Sequence, residues 1–251
     1  VAIATKRLEE IEKNKARYDT DYPTFAADCL TIRPKEGADT LLRFNAVQRY
    51  VHEAAEKQLL ESGRVRLIVL KSRQPGISTY VEGRGYWRTS RNRGIRAFVL
   101  AHDQDGTDNI FDMTERFHDH NPHAPATGAS NAKELVFSEI DSGFSVGTAG
   151  QKAAGRSRTI QFLHGSEVAH WPNAELHAMG LFQAVPKLSG TEIWLESTAN
   201  GMGGPALALA KMNTLSPGCT WSFNLAASST RTLSCAPVAA ATATGSSGMV
   251  S

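Results

Sequence analysis

The chain is poor in cysteine, and its three cysteines are not placed to act together. Cys29, Cys219 and Cys235 are far apart and odd in number, and no CxxC pair occurs. That argues against a disulfide framework or a zinc site and fits a reducing compartment. Long apolar runs are missing too. Nothing approaches the roughly 20 residues that a bilayer-spanning helix requires, so no membrane partner is expected. The N-terminal Val1-Ala-Ile-Ala-Thr-Lys-Arg lacks the apolar core of a signal peptide. No charge sign dominates: 27 Lys and Arg stand against 25 Asp and Glu, for a net charge of +2. Such a balance neither demands nor excludes nucleic acid, because a local patch matters more than the total. No acidic residue follows Glu196. Residues 235–251 are almost entirely Ala, Ser, Thr, Gly, Val and Pro, a low-complexity composition expected to be disordered or loosely attached.

What remains is ordinary for a soluble globular domain. At 251 residues, with 41% hydrophobic and 21% charged residues, the chain can bury one sizeable core with room for a small second lobe. Residues 4–18 carry Leu8, Ile11 and Lys15 at helical spacing among charges, which predicts an exposed amphipathic helix. Pro23, Pro34 and Gly37 break up the connecting stretch. Asn45 caps a predicted helix to about residue 60, with Val47, Tyr50, Val51, Ala54 and Ala55 as its apolar face and Gly63 at its end. Strands are predicted at 65–70, 95–101, 159–163 and 192–195. Asp141-Ser142-Gly143 reads as a hairpin turn between 134–140 and 144–147. Helices are predicted after Asp103, with Ile110, Phe111, Thr114 and Phe117 on one face, and over 174–185. Residues 147–158 read as a loop, and no periodicity is evident beyond Leu207. Strands alternating with helices predict an α/β fold with a mostly parallel sheet flanked by helices. In such sheets ligands bind at the carboxyl ends of the strands.

Three of those strand ends carry chemistry. The first is Leu70-Lys-Ser-Arg-Gln-Pro-Gly-Ile-Ser-Thr79, an apolar strand running through a tight loop into a helix start. It resembles the phosphate-binding pattern G-x-x-x-x-G-K-[ST]. Gly76 holds the second glycine position and Ser78 the hydroxyl position. Ile77, however, stands where the lysine belongs, and Lys71 stands where the first glycine belongs. Gly76 permits close backbone approach to a phosphate, and Ser78 or Thr79 opens a helix whose N–H groups favour an anion. Taken alone, the stretch reads equally well as an ordinary strand–turn–helix. The second is Thr159-Ile-Gln-Phe-Leu-His-Gly-Ser-Glu167, an apolar strand that delivers an acid to the sheet edge. Nucleotidases commonly end this strand in Asp-Glu, the first for the Mg²⁺ shell and the second for the attacking water. Here the pair is Ser166-Glu167, which leaves Ser166 a weak metal donor. The third is Ile193-Trp-Leu-Glu-Ser-Thr-Ala-Asn-Gly201, where Ser197, Thr198 and Asn200 are suited to hydrogen-bond a γ-phosphate or its water. As plain structure it is a polar turn.

In order and together, these pieces resemble the phage terminase large subunits, the motor ATPases that package viral DNA. The resemblance rests on Leu70–Thr79, His164-Gly-Ser-Glu-Val-Ala-His-Trp-Pro172, Glu196-Ser-Thr-Ala-Asn-Gly201 and, upstream, Phe44-Asn-Ala-Val-Gln48. It spans residues 25–204. It implies a P-loop NTPase-like α/β domain at 41–205, a helix and connecting segment at 1–40, and a tail at 206–251 without the nuclease domain of full-length members. It further implies ATP and Mg²⁺ as cofactors. Double-stranded DNA, a portal protein and a small terminase subunit would be partners, with a homo-oligomeric ring on the portal in the host cytoplasm. By this resemblance Gln48 reads adenine, Lys71 is a displaced loop lysine, and Arg73 stabilises the γ-phosphate in cis, flanked by Ser72 and Gln74 in the loop. Ser78 lies near Mg²⁺, Glu167 is the catalytic glutamate, and Ser197, Thr198 and Asn200 couple hydrolysis to movement. Arg156 or Arg158 would face a neighbouring subunit or DNA. A helicase-like translocase and a non-catalytic nucleic-acid- or portal-binding fragment remain as alternatives.

Two further patterns have structural and functional readings. His118, His120 and His123 have the look of a metal cluster, but no patterned partner is nearby, and histidines also suit a helix C-terminus. Arg84, Arg88, Arg91, Arg93 and Arg96, with Tyr86 and Trp87 interleaved, fit a DNA-backbone contact or simply a solvated face.

Overall fold

The computed structural model describes residues 13–71, 75–128, 133–150 and 159–198, and the backbone of Ser222–Ala226. The apolar runs form the strands of one seven-stranded sheet: β3 (Val65–Lys71), β4 (Arg96–Ala101), β5 (Glu134–Phe137), β6 (Ser142–Thr148), β7 (Phe162–Ser166), β8 (Glu192–Thr198) and β9 (Ser222–Ala226). Their order is β5-β6-β4-β7-β8-β3-β9. Every pairing is parallel except the hairpin of β5 on β6. Two short strands, β1 (Thr31–Ile32) and β2 (Thr40–Leu41), pair separately.

A parallel sheet covered on both faces requires apolar residues on both sides of its strands. In β3, Leu67 and Val69 join one core and Ile68 the other; in β8, Trp194 joins the first and Ile193 and Leu195 the second. The larger core lies under helices α1 (Tyr22–Cys29), α2 (Ala46–Ser62), α3 (Ile77–Arg91) and α4 (Gln104–Asp119), through Phe25, Val51, Tyr80 and Phe117. The smaller one lies under α5 (Ala174–Ala184) and the turn before it, through Trp171 and Leu181.

Local signals set the helix ends. Asn45 closes a capping box with Gln48, and Gly63 ends α2 at φ 71°. Asp103 caps α4 by accepting from Gly106 N at 2.7 Å, and Ile110, Phe111, Thr114 and Phe117 are its buried face. Of the apolar face expected for α2, Val51 and Ala55 are buried, but Tyr50 is exposed and Gln48 and Gln58 fill the remaining buried positions.

Several expectations are revised. Pro23 does not break the chain; it sits in the first turn of α1, where its missing N–H costs nothing, behind the Asp21 cap. Tyr18 is fully buried rather than on an exposed helix, and Trp87 Nε1 donates to its carbonyl at 2.6 Å. Of the predicted helix at 4–18, residues 4–12 lie outside the described residues, Lys13 and Asn14 are helical, and Lys15–Arg17 forms a 3-10 turn. Tyr18, Tyr22 and Phe25 share the core of Tyr80 and Trp87. β7 begins at Phe162, three residues later than predicted, because the Ile160 N–H is spent on Ala184 O at 2.9 Å. The shift carries Ser166 into the strand. β9 arises where no periodicity is evident, since a five-residue edge strand made of backbone pairing leaves little pattern to read.

Apart from the exposed Arg93, the arginine run is not a surface stripe. Arg84 is fully buried, donating from Nε and Nη2 to the two Glu192 oxygens at 2.7 and 3.0 Å and from Nη1 to Glu56 at 2.6 Å. Its guanidinium lies over the rings of Trp87 and Trp194, 5.8 and 5.6 Å from their centroids. Arg88 donates to Gly190 O at 2.6 Å, Arg91 pairs with Asp19, and Arg96 pairs with Asp141. Breaking a buried pair leaves the remaining charge uncompensated, so Arg84→Met should lower unfolding free energy by about 3–5 kcal/mol in urea titration. A loss below about 1 kcal/mol, the size of an exposed pair, would contradict the described burial.

Candidate active site

The strand ends meet on one edge of the sheet. β3 ends at Lys71, β7 at Ser166 and β8 at Thr198, and α3 begins beside them at Ile77. Gly76, at φ 74°, turns the chain into α3, and a Cβ there would lie 2.8 Å from Gln48 Nε2. No side chain caps α3, unlike α1, α2 and α4, which Asp21, Asn45 and Asp103 cap. Ile77 is buried in the main core. That explains why position 77 is apolar: its side chain faces the core, away from the loop. Thr79 is half-buried on the same first turn.

Lys71 occupies the centre. Its ammonium donates to Ser78 Oγ at 2.9 Å, lies 3.2 Å from Glu167 Oε1 and pairs closely with Glu196. Burial works against its charge, but Glu196 and then Glu167 outweigh this and raise its pKa. Ser78 Oγ donates in turn to Glu196 Oε1 at 3.0 Å, and Ser166 Oγ donates to the same oxygen at 2.8 Å. Glu196 is fully buried. Its desolvation is overcome by His164 and Lys71, which hold the carboxyl down at about 2.

Glu167 adopts the left-handed conformation, φ 51° and ψ 47°, unusual for a residue with a side chain. Its Oε2 accepts from Thr198 N at 3.0 Å, Thr198 Oγ1 at 3.1 Å and Ser197 Oγ at 3.4 Å. Burial pushes its pKa up, yet the Thr198 N–H and Lys71 more than reverse this and keep it below the usual carboxylate range. Ser197 Oγ also accepts from Ala169 N at 3.2 Å, so β8 and the turn after β7 are tied together through the carboxylate.

Behind the edge, His164 Nδ1 is 2.5 Å from Glu82 Oε1 on α3, and its Nε2 is 3.6 Å from Glu196 Oε1. Burial opposes its charge, but Glu82 and Glu196 together raise it to about 9.

Of the residues singled out in the sequence, the structure brings together Lys71, Ser78, Ser166, Glu167, Ser197 and Thr198. Gln48 is adjacent but engaged: its Oε1 accepts from Asn45 N at 2.9 Å and its Nε2 donates to Gly76 O at 2.8 Å. Ser72, Arg73, Gln74, Arg156, Arg158 and Asn200 lie outside the described residues. The histidines at 118, 120 and 123 diverge to separate partners: Tyr86 OH, Arg116 O and the Tyr18 ring. Among the described residues no three or more His, Cys, Asp or Glu side chains are grouped to hold a metal. Glu196, Glu82 and His164 join the cluster without a strand-end position to mark them; the one signal, at Glu196, is a carboxylate inside a strand apolar on both faces, which burial forbids without partners.

No family model matches the chain, and no curated protein matches it. Solved structures do. The HK97 bacteriophage large terminase superposes with a TM-score of 0.62 at 12% identity, over 78% of this chain and 41% of that one. The large terminase of a thermophilic bacteriophage gives a TM-score of 0.55 at 13% identity, over 73% and 46%. The large terminase ATPase domain of Thermus phage P74-26 gives 0.50 at 16%, over 64% and 67%. The chain thus spans less than half the length of the first two of these proteins. Among the described residues no helix is long and apolar enough to cross a membrane.

The charged cluster predicts a pH signature in the metal-free protein. His164 is raised from 6.5 to about 9, so its contribution to stability is complete below 6.5 and is lost as pH rises through about 9. The melting temperature should therefore fall across that interval, and His164→Gln should flatten the fall; a parallel decline in both proteins would contradict it. Taken together, the strand order, the edge cluster and the superpositions give this chain the fold of the phage large-terminase ATPase domains.

Proposed function

We propose that the chain is the ATP-hydrolysing motor domain of a DNA-packaging machine, binding the nucleotide phosphates where β3 turns into α3. The observation that carries this reading is the Lys71 ammonium, poised between Ser78, Glu167 and Glu196 at the uncapped start of α3. A helix N-terminus without a side-chain cap offers N–H groups and a favourable dipole to an anion. Lys71 supplies the positive charge that the ordinary loop would take from position 77. Gly76 leaves room for close approach, and Gln48 braces that turn from the α2 start.

Mg²⁺ fits as a partner of phosphate, not as a stand-alone ion. The donors present are hard oxygens, and Mg²⁺ is usually held by one or two carboxylates plus phosphate oxygens. When bound, it would neutralise charge on the β- and γ-phosphates.

Hydrolysis then follows from this chain's own groups. Glu167 orients a water in line with the γ-phosphorus and takes its proton as the oxygen attacks; the bond to the ADP oxygen breaks, giving ADP and phosphate. Lys71 leaves Glu167 to reach the phosphates, which removes one influence that keeps Glu167 weakly basic. Arg73 would stabilise the transferring group from the loop. Thr198 and Ser197, bonded to Glu167, and Asn200 beyond them would sense the loss of phosphate and pass it along β8. Double-stranded DNA, a portal protein, a small terminase subunit and neighbouring copies in a ring are the partners such a motor requires, acting in the host cytoplasm.

The test is ATP turnover by the purified chain with and without double-stranded DNA. Glu167→Gln should cut turnover by about 10²–10⁴-fold, the usual worth of a general base, with ATP affinity retained. Lys71→Ala should weaken ATP binding itself. Unchanged turnover in Glu167→Gln would remove the catalytic assignment, and unchanged affinity in Lys71→Ala would remove Lys71 as the phosphate lysine. Binding without turnover in the unmodified chain would favour the non-catalytic reading.

A further inference from the structure

We infer that Glu196, on β8, supplies the metal-site carboxylate that β7 lacks, so that the acid has moved one strand sideways rather than been lost. The inference rests on the nucleotide reading above and concerns which side chain would meet the phosphate-bound Mg²⁺.

β7 and β8 run parallel, and Ser166 and Glu196 are register partners. Both side chains face the same spot, since Ser166 Oγ donates to Glu196 Oε1 at 2.8 Å. The same oxygen accepts from Ser78 Oγ at 3.0 Å, the hydroxyl that the loop pattern reserves for the ion. A carboxylate within hydrogen-bond reach of that hydroxyl sits where a metal-shell acid on β7 would have to project. Glutamate from the neighbouring strand makes up in reach what it gives up in position.

A cation already stands in this place. The Lys71 ammonium contacts Ser78 Oγ, Glu196 and Glu167 together. Ser78 and Glu196 are hard oxygen donors that a divalent ion would use once phosphates draw Lys71 away. Behind Glu196, the His164 ring lies 3.6 Å from its Oε1 as an ion-pair contact, and the ring's Nδ1 is 2.5 Å from Glu82 on α3. Ser166 belongs to the same arrangement, because a second carboxylate there would crowd Glu196 with like charge.

The experiment compares binding of a non-hydrolysable ATP analogue in Mg²⁺ and in EDTA by calorimetry, with Mn²⁺ bound in the ternary complex followed by electron paramagnetic resonance. The unmodified chain should bind the analogue more tightly with Mg²⁺. Glu196→Gln should lower Mn²⁺ affinity in the complex by at least about tenfold, while metal-free binding of the analogue persists. Ser166→Asp added to Glu196→Gln returns a carboxylate to the same spot from β7 and should restore the Mg²⁺ advantage. Glu196→Gln that keeps the full advantage overturns the inference. So does a folded Ser166→Asp/Glu196→Gln protein without it, which also decides the matter should the single variant not fold. An unmodified chain that binds no analogue under either condition defeats the nucleotide reading itself, and this inference with it.

Discussion

A carboxylate buried at the end of a parallel strand must be paired, and the candidate site is organised around that requirement at Glu196. Desolvating an ion costs far more than any single contact returns. Glu196 answers with Lys71, Ser78, Ser166 and His164, drawn from β3, α3 and β7. Those partners fix where each element ends relative to the others. The lysine that is out of place by sequence pattern is in place by electrostatics, because the strand that carries it neighbours the strand that carries the acid.

The same constraint recurs at the opposite end of β8. Glu192 is fully buried, and Arg84, Arg88 and Trp194 converge on it. Its own desolvation is outweighed by Arg84 and Arg88, which hold its pKa down. Helix α3 therefore serves both ends of the strand. Its first two turns present Ser78 and Glu82 to the edge cluster, and its later turns present Arg84 and Arg88 to the other end. A displacement of β8 along its axis would disturb two buried charge networks at once. A strand gripped at both ends ties the edge cluster to the rest of the sheet.

Much of this was legible in the sequence, and the reason is positional. Lys71, Ser78, Glu167, Ser197 and Thr198 sit where strands end or a helix begins, and the α/β grammar gathers such positions on one edge. The capping box at Asn45 and the helix after Asp103 follow from local chemistry that needs no tertiary context. What escaped was set by distant partners. Glu196 and Ser78 are 118 residues apart, and Glu82 and His164 are 82 apart, so no window of sequence contains either pair. The arginines of α3 have the spacing of an exposed stripe, but the partners of Arg84 and Arg88, Glu192 and Glu56, lie elsewhere in the chain. Pro23 has the composition of a breaker, but the first turn of a helix tolerates it, and β9 forms by backbone pairing that side-chain patterns do not report.

On the proposed function, Lys71 is a phosphate ligand held in reserve by Glu196 and Glu167. The most direct measurement is a crystal structure of the chain with a non-hydrolysable ATP analogue and Mg²⁺. The phosphates should lie at the start of α3, with the Lys71 ammonium turned away from the two carboxylates and onto the phosphates. A nucleotide bound elsewhere, or a Lys71 still locked between Glu196 and Glu167 with phosphates bound, would contradict it.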